Sequence, residues 1–249
     1  MKDTKTYIIG DVHGEYDTLM RLVEKLPSDA KLIFVGDLID RGSRSAEVVK
    51  FVREGGHGCV MGNHEEMMTG YGSSFAVFVE QNEPIKMHNS WYSNGGMDTL
   101  KSYGLITLQE GKPVVVSGAK ERLEIFKEDI RWMRSLPLYM ELDTDHPSGK
   151  PVVVSHAPIA TVWGMRYSDA MYKTFADMAL WNRREPDEDA PIFNIFGHTV
   201  TPYGVKVERH FVNVDTGCYM ARSGYGMLCA YCVETGKVVS ENRVKMRQS

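Results

Sequence analysis

TYIIGDVHGEYDTLMRLVEKLPSDAKLIFVGDLIDRG, residues 6–42, carries the pattern from which the fold is read. The apolar run at 6–10 (TYIIG) has strand length and is rich in β-formers, and a second run at 31–36 (KLIFVG) repeats it. Between them Leu19, Leu22, Val23 and Leu26 recur at helical spacing through 16–26. A second helix is expected at 45–54, followed by a third apolar run at 58–62 (GCVMG). The order β-α-β-α-β is the signature of an α/β fold. The runs are almost unbroken in apolarity, so the strands should be covered on both faces.

Outward from this block, two further runs of the same kind stand at 152–155 (VVVS) and 192–197 (IFNIFG). The stretch between, 66–149, is less regular. It holds the glycine-rich aromatic piece NSWYSNGG (89–96) and a helical segment at about 121–135. This stretch is read as a lid or cap over a site, inside one domain spanning 1–249. Beyond residue 210 the chain reads as strands, HFVNVDTG and then YGMLCAYCVETGKVVS, with Glu234-Thr235-Gly236-Lys237 as a turn.

The bulk numbers exclude several classes. A chain of 249 residues with 43% hydrophobic and 25% charged residues has the composition of a globular protein, not of a disordered one. The net charge of -4 and the absence of a long basic run argue against a protein that coats nucleic acid. No run approaches the length that spans a bilayer. The charged N-terminus leads into a short apolar run ending in Asp11, without a small-residue cleavage site, so no signal peptide is expected. A cytoplasmic protein is the expectation. Cys229 and Cys232 form a C-x-x-C, but they lie in a strand-like segment where residues three apart face opposite ways. With no second pair to complete a sulfur site, these two, Cys59 and Cys218 are read as buried reduced thiols.

The residues just past each apolar run carry the chemistry. The first run releases Asp11-Val12-His13-Gly14, and the second Asp37-Leu38-Ile39-Asp40-Arg41-Gly42. The third releases Asn63-His64-Glu65, the fourth His156, the fifth His198-Thr199. Each piece alone has an ordinary reading: Asp-x-His as a turn, a lone His as a satisfied structural residue, Asp37–Gly42 as a charged turn held by an Asp–Arg pair. Five strands delivering metal-competent side chains to one edge is not explained by packing. Ligands of open α/β sheets bind outside the carboxyl ends of the strands. Mixed carboxylate, amide and imidazole donors without thiolate suit Mn, Fe or Zn.

The ordered set GDVHG, GDLIDRG, GNHE, SHA (Ser155–Ala157) and GHT (Gly197–Thr199) resembles the phosphoprotein phosphatase branch of the calcineurin-like metallophosphoesterases. HGEYDTLM, GNHEEMM, NSWYSNGG, LWNRR (180–184) and VDTG (214–217) are similar to bacteriophage lambda protein phosphatase and its small bacterial relatives, and also to symmetrical diadenosine tetraphosphatases. The resemblance implies two mixed β-sheets packed as a sandwich and flanked by helices. It implies two divalent metal ions, Mn2+ first with Fe or Zn as alternatives. Asp11 and His13 would bind one ion, Asp37 would bridge both, and Asn63, His156 and His198 would complete the second. Arg41, Arg183 and Asn63 would hold phosphate oxygens. His64 would protonate the leaving oxygen, with Asp40 holding its imidazole. His156 is followed here by Ala157-Pro158, not by the Gly-Gly of eukaryotic relatives, which argues against a eukaryotic-type subunit partnership.

The activity so implied is hydrolysis of phosphate monoesters by direct attack of metal-bound hydroxide. Two divalent ions outweigh the carboxylates of Asp11 and Asp37, Asn63 ligates without cancelling charge, and the two arginines add to the positive field. A phosphate dianion is the substrate that suits it. Serine/threonine phosphatase action on a phosphoprotein or small phosphate ester is the first expectation, and a symmetrical dinucleoside polyphosphate hydrolase the alternative. In the alternative, Trp91, Tyr92 and Tyr103 could stack a base, although burial is the commoner use of such aromatics. A non-catalytic scaffold should have lost a ligand or the His64–Asp40 pair, and none is missing. His57, His88, His146 and His210 are read as surface or satisfied residues.

Overall fold

The structure is a computed structural model that describes residues 4–81 and 89–244. Along the chain the elements are β1 (Thr6–Ile9), α1 (Tyr16–Glu24), β2 (Lys31–Phe34), α2 (Ser45–Glu54), β3 (Gly58–Cys59), α3 (Asn63–Met67) and α4 (Ser73–Gln81). There follow α5 (Met97–Ser102), the hairpin β4 (Ile106–Gln109) and β5 (Lys112–Val115), α6 (Ala119–Arg134), β6 (Tyr139–Asp145) and β7 (Pro151–Ser155). The last part holds α7 (Tyr172–Trp181), β8 (Phe193–Phe196), β9 (Lys206–Val207), β10 (Phe211–Asn213), β11 (Met227–Cys232) and β12 (Val238–Asn242).

Two five-stranded sheets form, in the orders β12-β11-β1-β2-β3 and β6-β7-β8-β10-β9. Both are mixed. β1, β2 and β3 run parallel, as do β7, β8 and β10, while β11, β12, β6 and β9 join antiparallel. The side-chain alternation of the strands sorts the apolar residues into layers. Ile8, Ile33 and Val35 from the first sheet meet Val152, Val154, Ile195 and Val212 from the second in one core between the sheets. Tyr7, Ile9, Leu32 and Phe34 point the other way, into a core shared with Leu19, Leu22, Val48, Val49 and Val52 of α1 and α2. Val153 points outward from the second sheet onto Trp163, Phe175 and Ala179. This is the expected sandwich flanked by helices, and the strands are covered on both faces.

Residues 16–26 and 45–54 take the helical form expected of them, the first ending at Glu24. The segment expected at 121–135 begins two residues earlier, at Ala119 after Gly118. From residue 63 the chain coils through α3, a wider π-helical turn at Met68–Gly72, and α4 without a break. Trp91, Tyr92, Tyr103, Phe75 and Phe126 all join the core on the outer face of the first sheet. The aromatics weighed as base-stacking residues are thus buried: Trp91 is 0% exposed, Tyr92 8% and Tyr103 6%. All four cysteines are free and buried. Cys232 lies in the outer core with Leu228 and Ala230, while Tyr231 between them faces the inter-sheet core, as the alternation requires. No helix among the described residues is long and apolar enough to cross a membrane.

Candidate metal centre

The carboxyl ends of the parallel strands share one edge, and the polar residues that follow them converge there. Asp11 follows β1, Asp37 follows β2, Asn63 and His64 open α3 after β3, His156 follows β7, and His198 follows β8. All six are buried. Each loop turns sharply to aim its side chain inward. His13, Asp37, Asp40, Arg41 and His198 all have positive φ, at 47°, 50°, 72°, 69° and 67°. Such backbone is uncommon outside glycine and costs energy, so its concentration in these five residues marks where the fold holds strain. Two glycines give the room. A Cβ on Gly62 would lie 2.3 Å from Asp37 Oδ1, and one on Gly197 would lie 2.1 Å from Asp11 Oδ1.

Asp37 is the centre of the group. Its carboxylate lies 3.5 Å from His13 Nε2, 3.8 Å from His64 Nε2 and 3.4 Å from His156 Nε2. Two donor groups share it, His13–Asp37–His64 and Asp37–His156–His198, each with its ligand atoms within 4.8 Å of one another. Asn63 Oδ1 adds a contact of 2.8 Å to His156 Nε2 and one of 3.0 Å to His198 Nδ1. Asp11 sits on the other side, where its oxygens accept the backbone N–H of His198 at 3.2 and 3.4 Å.

The protonation pattern of this cluster fits a cation. His13 and His156 each donate Nδ1–H to a backbone carbonyl, of Ile39 at 2.8 Å and Val35 at 2.9 Å. This fixes the tautomer and turns the Nε2 lone pair inward. Burial holds both rings well toward the neutral form, and it pushes His198, with help from neighbouring His156, down to about 3. Neutral His156 Nε2 then faces the acceptors Asn63 Oδ1 and Asp37 Oδ1 with no proton to share. His198 Nε2 is buried without a hydrogen-bond partner. Acceptors turned on one another at these distances are unfavourable unless a positive ion lies among them. For Asp37, burial works against ionisation, but any proton taken up by the surrounding imidazoles favours its charged form and holds the carboxyl below the usual range. Asp11 is pushed up by burial and by the nearby Asp215 and Asp37 carboxylates. Added positive charge relieves that crowding.

Beside the cluster stands an acid–base pair. His64 Nδ1 meets Asp40 Oδ2 at 2.6 Å. Asp40 also accepts Trp91 Nε1–H at 3.0 Å and the Thr99 hydroxyl at 2.6 Å. Burial pushes Asp40 up, against these three donors. For His64, burial lowers the pKa, but Asp37 and Asp40 outweigh it and leave it raised. The ring is thus biased toward its protonated form, with Nε2 on the Asp37 side.

The two arginines flank opposite sides. Arg41 Nη1 contacts His13 Nε2 at 2.6 Å, and its guanidinium lies over the Tyr219 ring, 4.2 Å from the centroid. Arg183 is exposed at the rim and donates to the His198 carbonyl at 3.2 Å. His57 packs by Phe51, His146 stacks on Phe193 at 3.8 Å, and His210 bonds the Pro186 carbonyl at 3.0 Å, all away from the centre. His88 lies outside the described residues.

Sequence reasoning assigns no role to three residues that the structure brings in. Glu65 accepts three backbone N–H groups, from Asp37 (2.7 Å), Leu38 (2.9 Å) and Gly62 (3.0 Å), so it ties the second loop to the third. Burial and the nearby Asp37 push it up to about 7. Asp215, buried after β10 and pushed by burial up to about 6, shares the edge with Asp11 and Asp37. Its signal is present in the chain: FVNV ends in Asp215 as the other runs end in their donors. Tyr219 lies edge-on to His13 at 4.9 Å. Replacing Glu65 by Ala should cost about 3 kcal/mol of stability, since three N–H groups each lose a partner worth about 1 kcal/mol. A urea midpoint within error of wild type would contradict that role.

A family described as calcineurin-like phosphoesterase matches residues 4–202. The asymmetrical bis(5'-nucleosyl)-tetraphosphatase PrpE of Bacillus velezensis is 27% identical over 237 residues, covering 85% of this chain and 83% of its own. Serine/threonine-protein phosphatase 2 of Salmonella typhimurium is 28% identical over 230 residues, covering 86% and 87%. The symmetrical bis(5'-nucleosyl)-tetraphosphatase of Buchnera aphidicola is 30% identical over 178 residues, but the match spans only 50% of that protein's length. Among solved structures, a Saccharomyces cerevisiae protein serine/threonine phosphatase with similarity to human phosphatase PP5 superposes with a TM-score of 0.60 at 16% identity, over 99% of this chain and 82% of that one. That likeness speaks for the fold alone.

Proposed function

This chain belongs to the calcineurin-like phosphoesterase family, and from that premise we propose that it is a two-metal phosphomonoesterase of the protein serine/threonine phosphatase type. The observation that carries the reading is the buried Asp37 carboxylate held between His13 on one side and His156 and His198 on the other, with the His64–Asp40 pair beside them. In this reading Asp11 and His13 hold one ion, Asn63, His156 and His198 the other, and Asp37 both. The donor set mixes oxygen and nitrogen without sulfur, which suits Mn2+, Fe or Zn, and Mn2+ is taken first on the family resemblance. When bound, the two ions supply Lewis acidity, positive charge that lowers the cost of bringing a nucleophile to a phosphate dianion.

The chain's own residues do the rest. Arg41 and Arg183, from opposite sides, grip the non-bridging oxygens, with Asn63 assisting, and so fix the phosphorus between them. His64 delivers the proton from Nε2 to the departing alkoxide oxygen. Asp40 keeps the ring oriented through Nδ1, and is itself held by Trp91 and Thr99. The described parts of 66–149, which include those two supports, belong in this reading to the same single domain and wall one side of the site. The buried reduced thiols support a cytoplasmic setting.

The Salmonella phosphatase, matched over most of both chains, supports the serine/threonine reading. The Bacillus tetraphosphatase, matched nearly as fully, supports a dinucleoside polyphosphate as the second reading. Mn-loaded protein assayed on phosphoserine peptides, p-nitrophenyl phosphate and diadenosine tetraphosphate separates them. The first reading expects the peptides to have the highest kcat/KM, and preference for the dinucleotide would replace it with the second.

Arg41→Ala and Arg183→Ala should each lower kcat/KM by about 10–100-fold, because charge-assisted bonds to phosphate are worth about 1.5–3 kcal/mol. Bound metal should stay near the wild-type level. Unchanged kcat/KM in Arg183→Ala would remove that residue from the clamp.

A further inference from the structure

An open cleft of about 710 Å³ begins at the helix that carries His64 and is lined by Glu66, Tyr71, Ser90, Asn94, Arg134 and Trp181 among others. Its size suits a side chain or small ligand. Glu66 lies two residues beyond His64 in α3, and its Oε2 accepts the Trp181 indole N–H at 3.0 Å. The Trp181 ring in turn stands edge-on to the His198 imidazole, 6.2 Å between centroids. The cleft therefore opens beside the metal centre, on the side of His198. Two aromatic rings remain partly open to solvent in it, Trp181 at 46% and Tyr71 at 39%. Among the described residues the lining holds one cation, Arg134, tied to the Thr69 carbonyl and the Ser73 hydroxyl, each at 2.8 Å.

We propose that this cleft is a specificity subsite for a basic side chain, Lys or Arg, that flanks the phosphorylated residue of a peptide substrate. The inference rests on the serine/threonine phosphatase reading above and names the peptide class that reading leaves open. A carboxylate at the edge of the half-exposed Trp181 ring, with the Tyr71 ring in the same lining, offers a cation a counter-charge and π-surface in one cleft. The indole bond holds Glu66 in place, so little side-chain entropy is lost when the cation arrives. The same carboxylate works against the other candidate occupant. A polyphosphate chain lying in this cleft would bring further negative charge against Glu66. Arg134 is already bonded to Thr69 and Ser73, whereas the Glu66 carboxylate accepts, among the described residues, only a neutral indole N–H and keeps its charge to offer.

The test compares kcat/KM on three phosphoserine peptides that differ only in one flanking residue, Arg, Ala or Glu, with diadenosine tetraphosphate in parallel. The Mn-loaded wild type should favour the Arg peptide over the Ala peptide by about 3-fold or more, and the Glu peptide should fall below both. In Glu66→Gln, which keeps an acceptor for Trp181 and removes the charge, the Arg-to-Ala ratio should drop to near unity. In Glu66→Lys the order should invert toward the Glu peptide. A second readout needs no turnover: the unphosphorylated Arg peptide should perturb the tryptophan fluorescence of wild type more than of Trp181→Phe. Peptides hydrolysed without charge preference, or a preference that survives Glu66→Gln, would overturn the subsite and leave the phosphatase reading standing. Hydrolysis of the dinucleotide with none of any peptide would overturn the phosphatase reading and the subsite with it.

Discussion

Asp37→Asn should reduce kcat/KM by at least about a thousandfold on every substrate, p-nitrophenyl phosphate included, and should lower the bound divalent metal. The reasons are geometric and electrostatic. Asp37 stands within 3.4–3.8 Å of imidazole nitrogens from His13, His64 and His156, and it is the member common to both donor groups. Asparagine has nearly the same shape but no charge, and its amide offers one oxygen where the carboxylate offers two. Both ions would lose their shared ligand in one substitution. A loss of several kcal/mol of charge stabilisation corresponds to about a thousandfold at about 1.4 kcal/mol per decade. The loss should be alike for good and poor leaving groups, because the metal field acts on the phosphoryl group they share. Asp37 Oδ1 also accepts the His64 backbone N–H at 3.1 Å, a bond an asparagine oxygen can keep. The variant should accordingly retain the fold, and its far-UV circular dichroism should match wild type. Near-normal turnover on any substrate would refute the placement of Asp37 at the centre.

His64→Asn should behave differently, and the difference identifies the acid. Phosphoserine leaves as a strongly basic alkoxide and needs the proton, whereas p-nitrophenolate needs little help. The loss on phosphoserine peptides should exceed the loss on p-nitrophenyl phosphate by about 10²–10⁴-fold, the usual worth of general acid catalysis. The structure supplies the reason for expecting a protonated ring. Burial disfavours the charge, but Asp37 and Asp40 together outweigh it and raise the His64 pKa. Asp40→Asn should show the same leaving-group pattern in milder form, since it weakens that support and loosens the ring without removing it. Trp91 and Thr99, which also hold Asp40, limit how far the new side chain can wander. Bound metal should be unchanged in both variants. Equal losses on both substrates would mean that His64 positions metal or phosphate instead.

The strand ends were legible because one local rule, an apolar run followed by a donor, repeats at β1, β2, β3, β7 and β8. The α/β order and the covering of the strands on both faces were legible for the same reason, since such strands read as unbroken apolar runs, whereas the two-sheet sandwich was implied only by the family resemblance. What escaped was carried by contacts distant in sequence. Trp91 and Thr99 reach Asp40 across 51 and 59 residues, and nothing local to NSWYSNGG announces that its indole will hold a carboxylate. Glu65 is visible within GNHE, yet its work is to accept N–H groups from another loop, a role that residue type cannot reveal. Asp215 obeys the same rule as the other donors, but it stands in a C-terminal part whose runs read simply as strands. Trp91 and Tyr92 of the aromatic segment are buried in the outer core, and the exposed ring beside the centre belongs to Trp181.

Whether the centre shares two ions through Asp37 is decided by counting them. Protein stripped with a chelator should be titrated with Mn2+ by calorimetry and checked by elemental analysis, wild type beside Asp37→Asn. Two ions should bind per wild-type chain, turnover should return as they bind, and the variant should hold fewer or much weaker ions. Full turnover by the stripped wild type, or two equally tight ions in Asp37→Asn, would show that the centre does not work in this way.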